Sequence, residues 1–71
     1  MRLDKKFRFF AYLIESYAAY KNTTADVIIK TLDEKGLTDF VYDMYEIYHT
    51  ETIENAFTDI DSLIETGRPA W

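Results

Sequence analysis

The chain has no cysteine, one proline, two glycines and one histidine among 71 residues, and each shortage closes a class of explanation. Without cysteine there is neither a disulfide framework nor a thiolate metal site, which fits a reducing compartment. So little glycine and proline argues against disorder and against a turn-rich β protein. The single histidine, His49, leaves no Ser-His or paired-His site within one chain. Gly36 and Gly67 cannot make a glycine-rich phosphate loop. Long apolar runs are missing too. Phe9 to Ile14 spans six residues before Glu15 interrupts it, shorter than a secretory h-region and far below the roughly 20 residues that cross a bilayer. The expectation is a cytoplasmic protein with no membrane partner.

Positive charge is also scarce where it would matter for nucleic acid. The formal net charge is −5, whereas general nucleic-acid binding rests on Lys and Arg neutralising phosphates. Arg2, Lys5, Lys6 and Arg8 crowd the start. From Gly36 to Gly67 there is no Lys or Arg, while Asp39, Asp43, Glu46, Glu51, Glu54, Asp59, Asp61 and Glu65 supply eight acids. This anionic block serves solubility, or it matches a basic partner electrostatically and speeds association.

What is present in quantity is aromatic: five Phe, six Tyr and one Trp. A chain of this size buries only about 60% of its unfolded surface, and large rings compensate because each removes about 150–250 Å² from water. The spacing predicts an all-α fold, a compact bundle of four short helices in one domain over residues 1–71, with an ordered core of about 4–66 and a tail of 67–71. Asp4 is placed to cap a first helix from Lys5 to about Lys21. Leu3, Phe7, Phe9, Phe10, Leu13, Ile14, Tyr17 and Tyr20 share its buried face. Its basic first turn opposes the helix dipole by about 0.3–1 kcal/mol per charge. Pairing with the anionic second half, or with a second copy of the chain, would relieve that mismatch.

Asn22 and Thr23 break the first helix, Thr23 or Thr24 caps the next, and Ala25, Ile28, Ile29 and Leu32 form its stripe. Gly36 supplies a left-handed stop. Thr38 is expected to cap a central helix within 37–50. At about 100° per residue, Phe40, Val41, Met44, Tyr45, Ile47 and Tyr48 fall on one arc of roughly 160°. Asp39, Asp43 and Glu46 lie opposite, and Tyr42 and His49 stand at the shoulder, where a side chain finishes the edge of the core or reaches a partner. In the last helix Ile53, Ala56, Phe57, Ile60, Leu63 and Ile64 hold one face, and Glu54, Asp61 and Glu65 line another. Gly67 and Pro69 stop it. Trp71 is expected to fold back over the core.

Two chemical patterns need weighing. The second and third helices look like a helix-turn-helix only in outline, because the helix that would face phosphates carries three acids and no base. No direct nucleic-acid contact is expected. Glu46-x-x-His49 matches the ligand pair of di-iron bundles, but a full site needs two such pairs and Glu46 projects with the outward acids. His49 is better used capping carbonyls at a helix C-terminus. No catalytic residue, metal or cofactor is expected, and the chain is read as a non-enzyme.

Asp4-Lys5-Lys6-Phe7, Glu15-Ser16-Tyr17, Tyr20-Lys21-Asn22, Gly36, Tyr42-Asp43-x-Tyr45-Glu46, His49-Thr50 and Asp59-Ile60-Asp61 with Ile64 together resemble a family of short uncharacterised bacterial proteins. The resemblance covers Asp4 to Glu65. Members occur especially in Gram-positive gut and oral bacteria and are often encoded beside toxin-like proteins, including candidate ADP-ribosyltransferases. The resemblance implies an antitoxin-like or accessory binding protein and no catalytic residues. Gly67 to Trp71 departs from the basic ends of other members.

These readings converge on an acidic interaction protein that binds a basic, co-encoded protein. Asp43, Glu46, Glu54, Asp61 and Glu65 would steer the encounter, and Tyr42, Tyr45 and His49 would supply contact area. The alternatives are a nucleic-acid mimic, which needs regularly spaced carboxylates over a long surface, and a self-associating module such as a homodimer.

Overall fold

Helix α1 (Lys5–Tyr20) begins where the sequence offers a cap. Asp4 is extended (φ −79°, ψ 168°) and its carboxylate accepts the Phe7 N–H at 2.7 Å, satisfying a donor that a helix start leaves open. The computed structural model describes residues 4–70, and over them the chain is an all-α bundle. After α1 come α2 (Ala25–Glu34), α3 (Thr38–Asp43), α4 (Tyr45–Tyr48) and α5 (Ile53–Thr66). No described residue is in a strand, and no helix is long and apolar enough to cross a membrane. Arg2 of the basic opening, Leu3 of the expected buried face and Trp71, expected to fold back, lie outside the described residues.

Two helix ends use the same device. After α1, Asn22 takes a left-handed φ of 58°. The Thr23 N–H then reaches the Ala18 carbonyl at 2.9 Å, and the Asn22 N–H reaches Ala19 at 3.1 Å. After α2, Gly36 (φ 70°) repeats this, with Leu37 N–H on Leu32 at 2.8 Å and Gly36 N–H on Asp33 at 3.1 Å. Both are Schellman closures that satisfy otherwise open carbonyls. Thr24 stands at the cap position of α2 without a side-chain cap bond. Thr38 is not the cap of α3 but its first residue, and its hydroxyl donates to the Asp33 carboxylate.

The expected central helix divides in two, so the four predicted helical segments become five helices. Met44 (φ −76°, ψ 7°) leaves helical geometry. Its N–H is shared between the carbonyls of Phe40 (3.1 Å) and Val41 (3.2 Å), and its own carbonyl restarts the chain by accepting from Ile47 and Tyr48. Neither proline nor glycine causes this. The segment is rich in β-branched and aromatic residues, which are weak helix formers, so ring packing against α1 decides its path.

The core comprises Leu13, Ile14, Tyr17 and Ala18 of α1, Ile28 and Leu32 of α2, Val41, Met44 and Tyr48, and Ala56, Phe57, Ile60 and Leu63 of α5. Five residues assigned to buried faces are instead exposed: Phe7, Tyr20, Ile29, Phe40 and Ile47. Phe7 and Tyr20 stand near the two ends of α1, and Tyr20 stacks on the core residue Phe57 at 4.9 Å, covering it from outside. Ile47 follows the break at Met44, so the single arc assumed for residues 40–48 does not hold. In the other direction, Asp59 of the anionic block is only 6% exposed.

Candidate functional site

Helix α1 presents Lys6, Phe9 and Phe10 to the α3–α4 edge. Tyr42 meets Phe10 edge-on (centroids 5.4 Å apart, planes at 69°), and Tyr45 meets Phe9 in the same way (5.6 Å, 73°). Lys6 Nζ lies 4.7 Å from the Tyr42 ring centroid and 3.0 Å from an Asp43 carboxylate oxygen. That hydrogen bond holds the Lys6 ammonium above its usual pKa. The pairing is the relief that the basic start of α1 called for. Just past α4, the His49 ring stacks flat on Tyr45 at 4.2 Å, and its Nδ1 meets the Tyr45 carbonyl. His49 therefore closes a helix end, as expected of it. Tyr42 and Tyr45 are half-buried, so their rings finish the edge of the core and leave only their rims to solvent.

A second constellation joins the other end of α1 to α5. The Tyr17 hydroxyl donates to the Asp61 carboxylate, and Lys21 Nζ lies 3.2 Å from the same carboxylate. Burial first, and donation to Asp61 second, push the Tyr17 phenol well above the usual tyrosine value. Beside this group opens a cleft of about 200 Å³, with Ile28 and Ile64 in its wall and Lys21, Asp61 and Glu65 on its polar side. Deeper in the core, burial and the adjacent Asp59 raise the Tyr48 phenol above its usual value.

The eight residues read as one interaction surface therefore fall into separate places. Tyr42, Asp43, Tyr45, Glu46 and His49 come together along α3, α4 and the turn that follows. Asp61 and Glu65 border the cleft on α5. Lys6 and Lys21, their respective neighbours, stand fifteen residues apart, about 22 Å along a helix. Glu54 occupies the first turn of α5, where a carboxylate favours the dipole. Asp43 and Asp61 are each engaged in an ion pair. Asp39, Glu46, Glu51, Glu54 and Glu65 are exposed and form none among the described residues.

Pattern reading missed three features. Lys6 and Lys21 reach across from α1; only the mismatch of the basic first turn hinted at the former. Asp59 turns inward although its neighbours in sequence gave no such signal. Between α1 and α2 lies a second cleft of about 180 Å³, walled by Phe7, Phe10, Ala11, Ile14, Ala25 and Ile29 with Glu15 at its edge. Its hint was an apolar face on α1 too broad for its neighbours to cover.

Among the described residues, no group of three or more His, Asp or Glu stands where it could hold a metal ion. A family model described as a protein of unknown function (DUF3791) matches residues 8–67. Neither a curated protein nor a solved structure matches the chain.

Proposed function

Since the chain belongs to the DUF3791 family of proteins of unknown function, we propose that it is a non-enzymatic, acidic interaction protein, antitoxin-like or accessory to a basic protein encoded beside it. The observation that carries this reading is the set of five exposed acids on and between α3, α4 and α5 that form no ion pair among the described residues, Asp39, Glu46, Glu51, Glu54 and Glu65. Like charges left open on one stretch of chain cost stability through mutual repulsion. A cationic partner reverses that sign and gains encounter rate. Glu46, Glu54 and Glu65 are the steering residues of this reading, with the rims of Tyr42, Tyr45 and His49 as contact area. Asp43 and Asp61 each already face a lysine of the chain and steer less.

Co-expression with the product of the adjacent gene, followed by affinity capture, tests the proposal. Capture of a stoichiometric complex that Glu46→Gln/Glu54→Gln/Glu65→Gln weakens is the expected result. An intact, basic neighbour that forms no complex overturns it.

A further inference from the structure

The α1–α2 cleft carries an inference independent of the anionic face. Phe7 and Ile29, at 45% and 37% exposure, keep apolar surface in water on either side of it. The floor at Ala11 is low because alanine has no side chain beyond Cβ, which lets a second backbone approach.

The charges beside the cleft say what approaches. Arg8 and Glu15 are both exposed on α1, seven residues or about two turns apart, and neither forms an ion pair among the described residues. Two helical turns bring both to nearly the same side of the helix. A segment whose opposite charges flank a small residue is complementary to itself when it runs antiparallel. The midpoint between positions 8 and 15 falls between Ala11, which lines the cleft, and Tyr12, which stands exposed outside it. We propose that the occupant of this cleft is a second copy of the chain, forming a two-fold dimer in which the two α1 helices pack antiparallel.

In this dimer Arg8 pairs with the partner's Glu15, and Glu15 with the partner's Arg8. The same register sets the partner's Phe7 over the end of the cleft where Ile14 meets Ala25, and Phe7 enters the partner's cleft reciprocally. Such an interface is isologous, so it closes and does not grow into fibres. A standard interface takes about 800 Å² per partner; that is about a sixth of the chain's 4915 Å², an area within reach of the outward faces of two helices. The anionic residues of α4 and α5 stay outside, so a dimer presents them twice.

Sedimentation equilibrium and light scattering over a concentration series test this, with circular dichroism to follow folding. The wild-type chain is expected to be a dimer. Arg8→Glu places like charges opposite each other at both symmetric contacts and should weaken dimerisation more than about tenfold, a shift of about 1.4 kcal/mol. Folding should survive, because an acid in the first turn of α1 suits the helix dipole. The double variant Arg8→Glu/Glu15→Arg should restore the dimer. Ala11→Arg, which fills the floor at an exposed position, should give a folded monomer. A wild-type monomer across the series overturns the proposal, as does a dimer that neither Arg8→Glu nor Ala11→Arg disturbs.

Discussion

Asp61 decides whether the α5 carboxylates are structural or free, and its removal has a calculable cost. Asp61→Ala deletes the acceptor of the Tyr17 hydroxyl and the partner of Lys21. A hydrogen bond to a charged group contributes about 1.5–3 kcal/mol. The ion pair adds little, about 0–1 kcal/mol, because its side chains are 44% and 30% exposed. The expected loss is about 2–3 kcal/mol, or a melting temperature lower by about 10–20 °C for a domain of this size. Tyr17→Phe removes the donor but leaves a carboxylate that water can reach, so it should cost only about 1–2 kcal/mol. Lys21→Ala should cost less than about 1 kcal/mol. Urea denaturation of the three variants and of the Asp61→Ala/Tyr17→Phe double variant reads the cycle, with an expected coupling of about 1–2 kcal/mol. If Lys21→Ala costs as much as Asp61→Ala, or if the two other losses simply add, the assignment of Asp61 to the Tyr17 hydroxyl is refuted.

Other expectations follow from single contacts. Asn22→Gly should stabilise by about 0.5–1 kcal/mol, because glycine takes the left-handed φ of 58° without steric cost; a lower melting temperature contradicts the Schellman closure. Leu32→Ala, at a fully buried position, should cost about 3–5 kcal/mol, much of the about 4–11 kcal/mol typical for a chain this short, and chemical denaturation measures it. Tyr17 and Tyr48 both have phenols held above their usual value in the fold. In the unfolded chain these phenols lose their protons from about pH 10. Stability is therefore whole below that pH and falls as pH rises above it. Melting curves from pH 8 to 11.5 should show this decline, and Tyr17→Phe/Tyr48→Phe should flatten it.

Much of the fold was legible because its signals are local. Asp4, Asn22, Gly36 and Gly67 end or begin helices by their own chemistry, and the spacing from Ile53 to Ile64 placed α5 correctly. The break at Met44 was not legible. No residue there forbids a helix, and the outcome turns on Tyr42 and Tyr45 docking against Phe10 and Phe9, which are more than thirty positions away. The candidate site suffered in the same way. Asp43 and Asp61 read as outward acids, yet cations from α1 reach both, and Asp59 packs beside Tyr48. Charge along the chain was visible, but which charges meet was not. His49 was placed correctly because a helix C-terminus asks for such a residue locally.

Asp39, Glu46, Glu51, Glu54 and Glu65 pair with no cation among the described residues, and their steering of a basic partner is the central claim. It is tested most directly by the association rate of the purified chain with its basic co-encoded neighbour, measured by stopped-flow mixing as ionic strength rises. Steering by Glu46, Glu54 and Glu65 predicts rapid association that slows steeply with salt, and slows at low salt when all three are replaced by glutamine. Association that ignores both salt and the triple replacement, or no association at all, contradicts it.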